Sequence, residues 1–360
     1  MVEKRLLQID GLRGIAIIIV LLFHFLNNSY SNSNNLNYLE AIISKITSFG
    51  WVGVNLFFVI SGFLIGSILL KNKGSQNYFR TFYFRRFLRI IPLYYTLLVV
   101  FVVFNFLLID SKLTLFENPI PIWQYFLLVQ NFSMSRLGHF GPNALTPTWS
   151  LAIEEQFYLI APIMIYLLRR NILITVAICL ILCSCIFRMY SYNWYMEYTH
   201  FFSRVDSLLI GLLIAILNLN TKGIEYMLKA KNIVIYIFIF LVLLMAFSFF
   251  SQINHTLISY FFGGVLIFSL SVNEKSLIYK ILVNKATLFF GKYSYFIYIF
   301  HQLINGLLFS YIKNGNPVLN TEFDYLIEFF AILLTMVLAT ISFKYLESKF
   351  ILKGQSFSYE

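Results

Sequence analysis

The chain has 360 residues, 59% of them hydrophobic and only 12% charged, with a net charge of +11. Soluble domains carry about 25% charged residues, so this composition excludes a water-soluble globular enzyme. The positive charge is scattered between apolar runs, which excludes a basic nucleic-acid-binding domain.

Taken in chain order, ten apolar runs approach the roughly 20 residues that span a bilayer. They lie near 10–28, 49–70, 88–109, 149–168, 172–188, 201–218, 232–250, 255–272, 294–312 and 325–346. The expectation is an all-α integral membrane protein with about ten transmembrane helices. Residues 1–350 are expected to form one transmembrane domain and 351–360 a short cytoplasmic tail, with no attached soluble domain. Lys4 and Arg5 precede the first run, and no small-residue cleavage site follows it, so that run reads as an uncleaved signal anchor. The segment 110–148 contains "IPIWQYFLLVQNF", too short to span, which reads as interfacial or re-entrant. Cys179, Cys183 and Cys185 share one apolar run and read as buried small residues, neither disulfide nor metal site.

Positive charge sets the orientation. With the N-terminus inside, 21 of the 27 Lys and Arg fall on cytoplasmic segments. Only Lys45, Lys112, Arg136, Arg188, Arg204 and Lys313 fall outside. Both termini are therefore expected in the cytoplasm.

Ionisable groups inside such runs are costly and become candidate functional residues. The first run, "IDGLRGIAIIIVLLFHF", holds Asp10, Arg13 and His24. Arg13 and His24 lie eleven residues apart, about 16 Å at about 1.5 Å per residue and on nearly one helix face. Arg13 reads either as a snorkelling anchor with Asp10 or as a functional cation. His24 reads either as a satisfied core histidine or as a general base. In the second run, Gly62 and Gly66 form a small-residue packing face, and Asn55 and Ser61 are isolated polar groups. "YFRTFYFRRFLRIIPLYY" places Arg80, Arg85, Arg86 and Arg89 at one helix start. That is an ordinary cytoplasmic anchor or a cradle for a polyanion.

"LTPTWSLAIEEQFYLIAP" suggests a helix capped by Thr146, with Trp149 and Ser150 in its opening turns. Glu154 and Glu155 then fall deeper than dipole stabilisation reaches. Arg204 and Asp206 are two residues apart, so each should meet a group on a different helix. His301 interrupts the ninth run. No His, Cys, Asp or Glu spacing suggests a metal.

These stretches, together with "FFVISGFLI", "SRVDSLLIGLL", "YSYFIYIFHQLI" and "ISFKYLESKFI", resemble the signatures of the membrane acyltransferase-3 family over nearly the whole chain. The resemblance implies an O-acyltransferase of the bacterial plasma membrane. Such an enzyme moves an acyl group, usually acetyl, from cytoplasmic acetyl-CoA to a hydroxyl of a cell-surface or lipid-linked carbohydrate. No metal is implied. It makes His24 the leading catalytic residue, with Glu154 beside it as orienting group. Arg13, Arg85, Arg86 and Arg89 become the acyl-CoA side. Asp10, Ser61, Trp149, Ser150, Arg204, Asp206 and His301 enter as supporting residues. The family often carries a proline just after the late histidine, where this chain reads "HQLI". The bilayer, acyl-CoA, a carbohydrate acceptor and polysaccharide-assembly proteins are the implied partners. A secondary transporter or glycan flippase is the competing reading, although no internal repeat is visible. A scaffold in a polysaccharide-synthesis complex is a third, and it makes His24 dispensable.

Overall fold

The computed structural model describes residues 6–31, 36–107, 115–117, 119–219 and 251–360. Among these, every regular element is a helix and no strand occurs. Bilayer-spanning backbone must satisfy its own hydrogen bonds, and helices do so within one segment. The long helices are α1 (Leu7–Leu22), α2 (Gly53–Lys71), α3 (Tyr78–Leu107), α4 (Thr148–Leu167) and α5 (Arg170–Met189). They continue with α6 (Phe201–Asn218), α7 (Ser251–Ser271), α8 (Lys285–Lys313) and α9 (Glu322–Ser342).

Eight segments among the described residues are long and apolar enough to cross a membrane. Each contains, or overlaps closely, one of the expected spans. The expected span 255–272 falls on α7, whose described apolar part His255–Ser271 is shorter. The expected span 232–250 lies outside the described residues.

Two glycine seams draw the helices together. A Cβ on Gly62 would lie 1.9 Å from the Leu208 carbonyl oxygen, and one on Gly211 would lie 2.1 Å from that of Val59. α2 and α6 therefore touch backbone to backbone. α1 and α8 do the same, with Gly14 against Thr287 and Gly291 against Asp10, each at 1.9 Å by the same construction. Between helices in lipid no hydrophobic force acts, so such close approach supplies the packing energy. Gly62→Val is expected to cost at least about 1–3 kcal/mol by overpacking. Its detergent-solubilised unfolding temperature should fall, while Gly74→Ala, which meets nothing within 4 Å, should leave it unchanged. Equal stability of the two variants would contradict the seam.

The partners also give direction. α1 and α8 run parallel, as do α2 with α6 and α6 with α7 (Arg204 by His255, Ser207 by Ser259, Ile210 by Gly263). The start of α3 meets the end of α4 through Tyr78 to Pro162 and Tyr83 to Leu159. One end of the bundle thus carries Arg13 and the arginines of α3. The other carries the end of α1 and the starts of α4, α6 and α7.

Two local expectations change, those for Thr146 and for the cysteines. The fourth long helix begins at Thr148, with Pro147 before it and no side-chain cap from Thr146. Thr148 Oγ1 instead donates to Leu145 O at 2.6 Å, closing the preceding turn. Cys179 and Cys183 are exposed on the apolar outer surface of α5, and only Cys185 turns inward, 3.1 Å from Thr256 Oγ1. The tail from Ser356 is docked: Ser358 O accepts from Asn77 Nδ2 at 2.9 Å, and Phe357 stacks on Phe84.

The segment before α4 folds as two short helices, Ile122–Phe126 and Gln130–Leu137. Their polar groups are tied to the bundle, with Tyr94 Oη donating to Tyr125 O and Gln130 Nε2 to Thr148 O. Leu128, between them, takes φ +56°, a left-handed conformation that a bulky residue adopts only when its surroundings enforce it. Gln156 Nε2 on α4 holds its carbonyl at 2.9 Å.

Candidate active site

The end of α1 departs from regular helix. Phe23–Asn27 winds as a π-turn, a feature that shifts side chains off the α-helical phase and recurs at functional sites. His24, the second residue of this turn, faces His301 of α8, with ring centroids 4.8 Å apart. His301 Nδ1 lies 2.8 Å from Tyr298 O and 3.0 Å from Ile297 O. A carbonyl only accepts, so Nδ1 carries the proton and neutral His301 has an accepting Nε2. That Nε2 lies 3.1 Å from His24 Nδ1, which is also 3.1 Å from Val20 O. His24 Nδ1 therefore donates, and the lone pair of neutral His24 is left on Nε2. The α8 backbone thus sets the tautomer of His301, and Val20 O together with His301 Nε2 sets that of His24.

Toward the other end lies a mixed-charge cluster. Arg13 Nη2 donates to the buried Ser294 Oγ at 3.0 Å, within electrostatic reach of Asp10 and Glu154. Arg86 places its guanidinium 5.6 Å above the Tyr158 ring. Arg89 lies within electrostatic reach of Arg13 and Arg86. Glu154 Oε2 accepts from Tyr158 Oη at 3.3 Å, and Tyr158 Oη also bonds Ser61 Oγ.

Two predicted groupings are rearranged. Glu154 engages Tyr158 and faces Arg13, and His24 takes its partner from α8. Glu154 points there because it sits one turn deeper on α4 than Ser150, level with the arginines. Arg85 separates from Arg86 and Arg89: its Nε donates to Phe357 O at 2.7 Å and its guanidinium lies over Tyr359.

Ser150 Oγ and Tyr298 Oη are 2.7 Å apart, one turn of α8 below His301. Arg204 and Asp206 divide as their spacing requires. Arg204 Nη2 donates to Asn55 Oδ1 at 2.8 Å and Nη1 bonds His255, while its guanidinium lies over the Trp149 and Tyr198 rings. Asp206 pairs with Arg188 of α5 at 3.0 Å and accepts from Thr256 at 2.6 Å. No cluster of three metal-ligating side chains occurs among the described residues.

Sequence reasoning passed over Tyr158, Tyr298 and Glu328. Tyr158 is four residues from Glu154 and Tyr298 three from His301, so helical spacing alone aligns them with the groups already singled out. Glu328, buried and accepting from Ser29 Oγ at 3.3 Å, was visible as an isolated carboxylate in an apolar run.

The family profile described as acyltransferase domain matches residues 6–345. The Staphylococcus aureus protein named O-acetyltransferase OatA (strain NCTC 8325) is 29% identical over 375 residues, covering 96% of this chain and 57% of that protein. A provisionally named O-acetyltransferase of S. aureus strain COL is 27% identical over the same length and shares. The chain therefore spans little more than half the length of these curated relatives. No solved structure matches it. With the profile covering nearly every residue, including both histidines and the arginine cluster, the chain belongs to the acyltransferase-3 family.

Proposed function

We propose that the chain transfers an acetyl group from cytoplasmic acetyl-CoA to a hydroxyl of a cell-surface or lipid-linked carbohydrate. It acts in the plasma membrane of a bacterium, with ten crossings and both termini inside. The charge split supports that topology. So does the parallel run of α6 and α7, which gives the bundle ends the parity that ten crossings need. The carrying observation is the His24–His301 pair, with its free Nε2, at the bundle end opposite the arginines.

The polyanionic acyl-CoA docks against Arg13, Arg86 and Arg89, and its thioester arm extends along α1 toward His24. The acceptor hydroxyl gives its proton to His24 Nε2 as its oxygen attacks the thioester carbonyl. The tetrahedral intermediate collapses with loss of the CoA thiolate, which takes the proton back from His24. Tyr298 Oη is the hydroxyl that steadies the oxyanion, its proton released when Ser150 Oγ donates to it in place of Pro147 O. Ser61 and Trp149 are engaged elsewhere, with Tyr158 and Arg204.

Charge-assisted contacts to the donor give a separable test. Arg86→Gln and Arg89→Gln should each raise the KM for acetyl-CoA by about tenfold, the 1.4 kcal/mol equivalent of one lost charge-assisted bond. Arg85→Gln, bound to the tail, should raise it less. Steady-state kinetics with radiolabelled acetyl-CoA measures this, and an unchanged KM in both the Arg86 and Arg89 variants rejects the donor site.

A further inference from the structure

A cavity of about 430 Å³ opens at the bundle end carrying His24, lined by Trp51, Trp194, Tyr198, Glu197 and His255 among others. None of its lining residues takes part in the reaction steps above. We infer that it is the binding subsite for a pyranose ring of the acceptor glycan. The inference rests on the acetyl-transfer reading and deepens it.

The volume lies in the usual range for a small-molecule site. The walls suit a sugar more than any other small molecule this end of the protein meets. A pyranose presents C–H faces, which pack against aromatic rings, and a girdle of hydroxyls, which needs donors and acceptors at the edge. Trp194 is 53% exposed although its ring stacks on Tyr198 at 4.8 Å and 14°. A large aromatic kept open to the cavity supplies contact area at low entropic cost. Trp51 also lines the cavity, edge-on to His255 at 5.1 Å and to Tyr198 at 5.9 Å. Glu197 offers carboxylate acceptors at the rim. An acyl chain would leave this polar rim unpaired.

The walls are held rigidly. Asn193 caps the short helix Trp194–Thr199 by accepting from Met196 N at 2.7 Å, and its Nδ2 donates to Ser135 O. Behind the floor, the fully buried Arg204 lies over the Tyr198 ring at 5.2 Å and bonds His255. Arg204 is thus a support for the cavity wall, which accounts for a buried cation the reaction does not use.

The cavity is also joined to the reacting groups. Tyr198 packs on Trp149 at 4.7 Å, the next residue Ser150 bonds Tyr298, and the Tyr298 ring lies 6.3 Å from that of His301. Trp149 and then Tyr298 lie between the cavity floor and the histidine pair along this chain of contacts. A glycan seated by one ring against Trp194 presents a neighbouring sugar to His24.

The test uses the purified chain in nanodiscs, radiolabelled acetyl-CoA, and glycan chains released from the envelope of the producing cell. Trp194→Ala should raise the glycan KM by about tenfold while the acetyl-CoA KM stays put. Trp194→Phe, which keeps an aromatic face, should restore the glycan KM to within about threefold of wild type. A transferring wild type with an unchanged glycan KM in Trp194→Ala overturns the subsite alone. Equal rises in both KM values in Trp194→Ala overturn it too, since they mark general damage. A wild type that places no label on any glycan overturns the acetyl-transfer reading, and the subsite with it.

Discussion

Replacing His24 with alanine should lower the rate of acetyl transfer by about 10²–10⁴-fold, the contribution of a positioned general base. The protein should still insert and fold, because His24 is half-buried and its ring lies at the edge of the packed core. The acetyl-CoA KM should change little, since Arg13 of the proposed donor site lies eleven residues away along the first span, about 16 Å at about 1.5 Å per residue. Such a loss in kcat alone is what removal of a group acting only in the transition state produces. A general base also requires the rate to fall as acid protonates Nε2. Full activity in a well-expressed His24→Ala variant would end the assignment and favour a transporter or a scaffold.

The second large effect belongs to His301. It touches no reacting atom in the account above and acts as a positioning residue through His24 Nδ1. His301→Leu removes one of the two acceptors that His24 Nδ1 meets, leaving Val20 O to hold the proton but nothing from α8 to fix the ring. Groups that orient a catalytic or metal-bound histidine contribute about 10–100-fold, and a loss of kcat of that size is expected with both KM values retained. His301→Gln, whose amide oxygen can accept from His24 Nδ1, should recover part of the rate. A purely structural histidine predicts no such split: both variants would lose thermal stability and activity together. A stable His301→Leu protein with unchanged kcat rejects the positioning role.

Much of the fold could be read from the chain because membrane segments leave few alternatives. Length and hydropathy marked the spans, and the Gly62–Gly66 spacing marked the face on which α2 meets α6. The two-residue offset of Arg204 and Asp206 was enough to assign them to different neighbours. Other features lie outside what local pattern encodes. His24 and His301 are 277 residues apart, and nothing in either run reveals that α1 and α8 run parallel in contact. The π-turn at Phe23–Asn27 has no compositional signature either.

The arginines show the same boundary. Four cations at one helix start are plain in the sequence, yet their division depends on the rotation of α3. Arg86 and Arg89 turn toward the Arg13 cluster, and Arg85 turns toward the docked tail. Glu154 was singled out correctly as too deep for a capping role. Its partner is Tyr158, because a carboxylate one turn below Ser150 lies level with Arg13 and not with His24.

The most direct test of the account is sided transfer across a sealed membrane. The chain is reconstituted into vesicles in one orientation. Radiolabelled acetyl-CoA is supplied only on the side of the arginine cluster and envelope glycan only on the side of His24. The account predicts label on the glycan, dependent on His24, with no glycan crossing the bilayer. Glycan that crosses unlabelled, or labelling that survives His24→Ala, would contradict it.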